Sequence, residues 1–78
     1  MKQLVLDYFW KIRPDLEGSE AILSIPLRML LSSVEFVEFL AFLEESLAFP
    51  IGDSEVTEDS FATVASVIDF LERKSATQ

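Results

Sequence analysis

Apolar positions open the chain at helical spacing. Leu4, Val5, Tyr8, Phe9 and Ile12 recur three and four residues apart, with Lys2, Asp7, Lys11 and Arg13 between them. This predicts a helix over residues 2–13, stopped by Pro14, which has no N–H with which to continue the ladder. From 14 to 31 the period is lost. Gly18, Ser19, Ser24 and Pro26 punctuate the stretch, yet Leu16, Ile22, Leu23, Ile25, Leu27, Leu30 and Leu31 recur throughout. A connection this apolar is unfavourable in water, so it is expected to pack across the helices.

The helical period returns from about Ser33 to Ala48. Phe36, Phe39, Leu40, Leu43 and Leu47 share one arc and are expected in the core, while Glu35, Glu38, Glu45 and Ser46 lie opposite. Val34, Val37 and Ala41 form a narrower apolar strip beside that arc, and Phe42 is expected to point outward between Glu35 and Glu38. Ser32 followed three residues later by Glu35 has the pattern of a capping box. Pro50 and Gly52 break the helix, and a short turn is expected around Thr57 to Phe61. Thr63 can cap a last helix on which Val64, Val67, Ile68 and Leu71 repeat. Arg73 and Lys74 fall near its C-terminal end, where the macrodipole favours positive charge. The tail "SATQ", 75–78, is expected to be frayed and flexible. The predicted fold is all-α: one domain over 1–78, a bundle of three main helices plus one short helix, with a long loop between the first two.

Composition narrows the chemistry. A chain of 78 residues makes one domain with a modest core. It has no cysteine, hence no disulfide and no thiolate metal site, and no histidine, the usual general base and commonest metal ligand. We assign no catalytic residue, because a serine nucleophile needs a base to activate it. We assign no metal ligand either: Asp53, Glu55, Glu58 and Asp59 lack the spacing of a calcium loop and read as a solvated acidic loop. Trp10 is assigned to packing. The 14 acids against 6 bases give a net charge of −8, which repels nucleic acid and anionic membranes and attracts basic protein surfaces. No apolar run is long enough to cross a bilayer. The opening "MKQLVLDYFWKIRP" shows no cleavage site and reads as a helix of the mature protein, so a cytoplasmic monomer is expected.

The stretch "PLRMLLSSVEFVEFLAFLEESLAFPI", followed by "FATVASVIDFLE", resembles the acyl carrier and peptidyl carrier proteins. In that family the second helix opens on an Asp-Ser-Leu step and continues with an acid-bearing pattern ending in Leu-Glu-Glu. The last helix of the family carries Thr-Val and, four residues on, Ile-Asp. The likeness covers residues 16–73. Aligning on "LEES", Leu43 to Ser46, puts the family's phosphopantetheine-bearing serine at Ser33; a register that chose Ser32 would displace "LEES".

The resemblance implies a free-standing, non-catalytic carrier. A phosphopantetheinyl transferase would place 4′-phosphopantetheine on Ser33, and the thiol of that arm would hold an acyl or aminoacyl cargo as a thioester. Partners would be an acyl- or aminoacyl-activating ligase, a synthase or a transferase with a basic docking surface. Fatty acid, polyketide and nonribosomal peptide systems all use such carriers. The residues implied to face partners are Val34, Glu35, Val37, Glu38, Ala41, Phe42 and Glu45, with the acids steering encounter and Phe42 as an aromatic anchor. The chain departs from the family in two ways: Ser32 stands where the Asp precedes the serine, and the usual upstream Gly is absent. Ser32 can cap the helix but brings no charge. A second reading therefore stays open, a carrier-like domain without the prosthetic group that serves as a protein-binding or scaffolding module.

Overall fold

The computed structural model describes residues 2–76. Three α-helices carry it: α1 (Lys2–Ile12), α2 (Ser33–Leu47) and α3 (Val64–Ala76). The first ends one residue earlier than the pattern predicts, because Pro14 opens a 3-10 turn, Pro14–Leu16. Arg13 and Asp15 brace this corner through a paired contact, Nε to Oδ1 at 3.0 Å and Nη2 to Oδ2 at 2.8 Å. Leu6 is buried beside Val5 and Phe9 on the face of α1, a position the period alone did not single out.

The long connection packs as its apolar content requires. Beyond Gly18, whose φ of +80° suits the one residue without a Cβ, it forms 3-10 turns at Glu20–Ser24 and Leu27–Met29. Ser19 opens the first of these, accepting from Ala21 N at 3.1 Å, and its carbonyl accepts from Trp10 Nε1 at 3.2 Å. Trp10 thus packs and also ties the loop to α1. Ile22, Leu27, Leu30 and Leu31 are buried. An isolated antiparallel bridge pairs Pro26 with Thr63, and Leu27 N donates to Ala62 O at 3.0 Å. That bridge fastens the approach to α2 to the approach to α3.

The backbones of α1 and α3 pack closely on each other and on the Glu20–Ser24 turn. The link from α1 to α2 is made by rings. Phe39 is fully buried, its centroid 5.0 Å from Phe9 and 4.9 Å from Tyr8. At this spacing aromatic pairs add to plain area burial. Val64, Val67, Ile68, Phe70 and Leu71 bury one side of α3, with Phe70 joining the expected four by packing on Phe61 at 5.5 Å. Phe36, Leu40 and Leu47 are half-buried against this core rather than sealed in it.

At the far end of the molecule the expected short helix takes 3-10 rather than α form. A 3-10 turn at Asp53–Glu55 precedes a turn in which Phe61 N donates to Thr57 O at 3.0 Å, and Thr57 Oγ1 accepts from Ser60 N at 3.1 Å. One such bond closes a turn but propagates no helix. The expected fraying at 75–78 is also corrected in part: Ser75 and Ala76 continue α3, and Thr77 and Gln78 lie outside the described residues. Lys74 secures this last turn. Its ammonium sits 2.8 Å from Glu55 Oε2 and 5.7 Å from the centre of the Phe49 ring. Glu44 Oε2 accepts from Ile51 N at 2.7 Å, closing the exit of α2. Among the described residues no helix is long and apolar enough to cross a membrane.

Two outcomes follow. Phe39→Ala removes a fully buried ring and should cost about 3–5 kcal/mol. Against a total stability of roughly 4–12 kcal/mol for a chain of this size, that brings the domain close to unfolding, which a urea titration followed by circular dichroism will register. The second concerns acid. Lys74, then the Gly52 N–H, holds the Glu55 carboxyl below its ordinary range. Stability from a lowered carboxyl is present above the unfolded pKa and disappears as pH falls through the folded one. The melting temperature should therefore drop on acidification below about pH 4.5, and Glu55→Gln should lower it at pH 7 while flattening that acid dependence.

Candidate functional site

The approach to α2 is anchored from below. Leu30 N and Leu31 N both donate to Leu27 O, at 2.9 and 2.8 Å, and all three leucines are buried. The chain therefore reaches Ser32 at a fixed place and turns extended there, with φ −75° and ψ 175°. Ser32 caps α2: its Oγ accepts from Glu35 N at 3.2 Å, and Glu35 Oε1 accepts from Ser32 N at 2.8 Å. This is the capping box that the sequence predicts.

Ser33 follows as the first residue of α2. It is exposed, and among the described residues its hydroxyl makes no hydrogen bond. The two serines thus differ sharply. One hydroxyl is engaged by the backbone; the other faces water.

Beside Ser33 runs an open groove of about 470 Å³. Leu27, Leu31, Phe36 and Phe61 line it with apolar surface, the two rings meeting edge to face at 5.6 Å. Ser32, Ser33, Val37 and Arg28 complete the lining, and no acid contributes to it. A second depression of about 480 Å³ shares Arg28 and Phe61 with the first and extends toward Glu58 and Thr63.

The residues expected to face partners divide. Val34 and Val37 are 70% and 64% exposed, and Ala41, Glu38 and Glu45 are exposed along the same helix. Glu35 is exposed, but its carboxylate is turned back onto the helix opening. The Ser32 backbone N–H, then its hydroxyl, lowers the Glu35 pKa. The Glu35 carboxylate is thereby held at the opening of α2. Phe42 requires correction: it does not point outward. Its ring lies 4.7 Å from Tyr8 and is half-buried, because α1 crosses on that side and Tyr8 reaches over α2. Burial, followed by Glu38 and Glu35, raises the Tyr8 pKa.

Two residues at the site escaped the sequence reading. Met29 is 71% exposed in the turn ahead of Ser33, and Arg28 is the groove's cation. A signal for Arg28 was present: it is the only base between Arg13 and Arg73.

No family model and no curated sequence matches the chain. Solved structures do. The solution structure of a holo acyl carrier protein from Nitrosomonas europaea aligns with 96% of this chain and 95% of its own, at a TM-score of 0.73 and 24% identity. A chain in the crystal structure of Bradyrhizobium japonicum glycine:[carrier protein] ligase complexed with glycylated carrier protein aligns with 86% of this chain and 97% of its own. Its TM-score is 0.63 at 19% identity. What is shared at these identities is the fold, and the fold is that of an acyl carrier protein.

Ser32→Ala should cost about 1 kcal/mol by removing the cap, a fall of roughly 4–8 °C in melting temperature for a domain of this size. Ser33→Ala should leave the stability within about 0.5 kcal/mol of the parent, as for an exposed position without partners. Differential scanning calorimetry of the two variants makes the comparison.

Proposed function

We propose that this protein carries a thioester cargo on a 4′-phosphopantetheine arm esterified to Ser33 and presents that cargo to partner enzymes. The observation that carries the proposal is the contrast between neighbouring hydroxyls: Ser32 caps α2, while Ser33 is exposed and makes no hydrogen bond within the described chain. The residues present fit the group. An uncommitted hydroxyl stands at the helix opening, and an adjoining groove offers an apolar floor to a flexible pantetheine chain. When bound, the arm supplies the thiol that a chain without cysteine lacks.

The protein's own residues position and identify. Leu30 and Leu31 anchor the approach from the core, and the Ser32–Glu35 pair sets the direction in which Ser33 leaves the helix. Val34, Val37 and Ala41 supply an apolar strip beside the serine, flanked by Glu38 and Glu45. Such a surface suits a basic partner: charge brings the two together and the apolar strip retains them. A phosphopantetheinyl transferase would meet it first, then an acyl- or aminoacyl-activating ligase, a synthase or a transferase. We place this work in the cytoplasm and assign it to a monomer. The carrier-protein structures that share the fold support the reading, one in its holo form and one in a complex with a ligase.

One observation favours a second reading, a scaffolding module without the arm. The residue before Ser33 is a neutral serine, and the nearby Glu35 carboxylate is already hydrogen-bonded to it. Co-expression with a broad-specificity phosphopantetheinyl transferase, followed by intact mass, separates the two. We expect one phosphopantetheine adduct, lost in Ser33→Ala and retained in Ser32→Ala. An unchanged mass with several transferases would give the scaffold reading instead.

A further inference from the structure

We propose that Arg28 is an anchor for the arm: its guanidinium pairs with the phosphodiester on Ser33 and lays the pantetheine chain along the groove floored by Leu31, Phe36 and Phe61. This rests on Ser33 as the attachment point and adds a resting position for what is attached.

Charge distribution is the first support. Between residues 14 and 72 the chain has 13 acids and a single base, Arg28. Three of the other bases are paired: Arg13 with Asp15, Arg73 with Asp69 and Lys74 with Glu55. Arg28 makes no ion pair and no hydrogen bond among the described residues. Glu58 shares the second depression with it and still does not pair. A guanidinium that is bonded to no carboxylate, with Glu58 alone among the acids lining a depression beside it, is available to another anion.

Its placement is the second support. Arg28 lines the same groove as Ser33, and no Asp or Glu does. In a chain of net charge −8, this groove is a local exception where a phosphodiester meets a cation without facing a carboxylate across it. Arg28 also sits on a braced turn. Leu27 before it is buried, and the backbone of that residue is bonded to Ala62 on one side and to Leu30 and Leu31 on the other. The guanidinium therefore swings from a fixed base. Its planar fork matches phosphate oxygens in geometry as well as charge.

The third support is the floor. The Phe36–Phe61 pair and Leu31 present apolar surface next to Ser33, suited to the methyl and methylene groups of pantetheine. The pairing is solvent-exposed, so it biases the arm without locking it. A docked partner can lift the arm away at small cost.

The test uses the full chain, ¹⁵N-labelled, apo and loaded with phosphopantetheine, loading being verified by intact mass. In the wild type, loading should shift amides around Ser33 and also a remote set that includes Arg28 and Phe61. In Arg28→Ala and Arg28→Glu the remote shifts should fall roughly two- to five-fold, the ratio an exposed ion pair supports. Arg28→Lys should keep part of them. The ³¹P resonance of the loaded protein should move between wild type and Arg28→Ala, and move less at high salt. Remote shifts that persist unchanged in loaded Arg28→Ala would overturn the anchor and leave the carrier reading intact. Arg28 would then be a solvated side chain or a partner contact. If no adduct forms, the carrier reading fails on its own, and the apo protein is titrated with free 4′-phosphopantetheine. Arg28-dependent shifts in the groove would then uphold Arg28 as the groove's phosphate-binding residue without the tether; their absence would overturn that too.

Discussion

Two reciprocal hydrogen bonds between Ser32 and Glu35 fix the first turn of α2, and the candidate site inherits its geometry from them. A helix turns about 100° per residue. If the cap moved by one position, the next hydroxyl would leave from a different side of the bundle and no longer border the groove. The adjacent leucines reinforce the choice, since Leu30 and Leu31 are both buried and a slip would pull one of them into water. Local hydrogen bonding and core packing thus agree on one register. That agreement is what makes a small exposed side chain a defined position.

The core beneath has to be stable without a disulfide or a metal site built on thiolates. It relies on rings that join α1 to α2 and on a long connection that contributes to the interior. Ile22 and Leu27 do the work of core residues while lying outside any α-helix. The Pro26–Thr63 bridge then sets the approaches to α2 and α3 beside each other. Phe61, just ahead of α3, and Phe36, on the first turns of α2, meet because of it, and their contact floors the groove. The site is a by-product of how the two approaches are tied.

Much of this was legible in the sequence. Helix periods located all three α-helices, Thr63 and Ser32 announced their caps, and the apolar loop announced its own burial. Ser33 stood out through its register with a known family pattern. What escaped has a physical reason in each case. Phe42 looked outward on a helical wheel drawn for α2 alone, and only the crossing of α1, with Tyr8 above it, makes that side partly interior. Glu35 looked like one more surface acid, although its place in a capping box already implied that its carboxylate would fold back. Arg28 lay in a stretch without periodicity, where a wheel assigns no face. Its isolation among acids was visible, but its nearness to Ser33 and Phe61 depends on tertiary packing.

The exit of α2 has a different character from its entrance. Ala48 closes the helix in the left-handed region at φ 59°, a conformation that costs a residue with a Cβ roughly 1–2 kcal/mol. It is held there from both sides: Ala48 N donates to Glu44 O at 3.1 Å, and the Glu44 carboxylate reaches forward to Ile51 N. Because Ile51 is also buried, the spacing from Glu44 to Ile51 is a measured length. Insertions and deletions here would break a bond, expose an apolar side chain, or both. Length variation among divergent copies of this chain should therefore collect at the exposed Glu17–Gly18 turn and spare this corner.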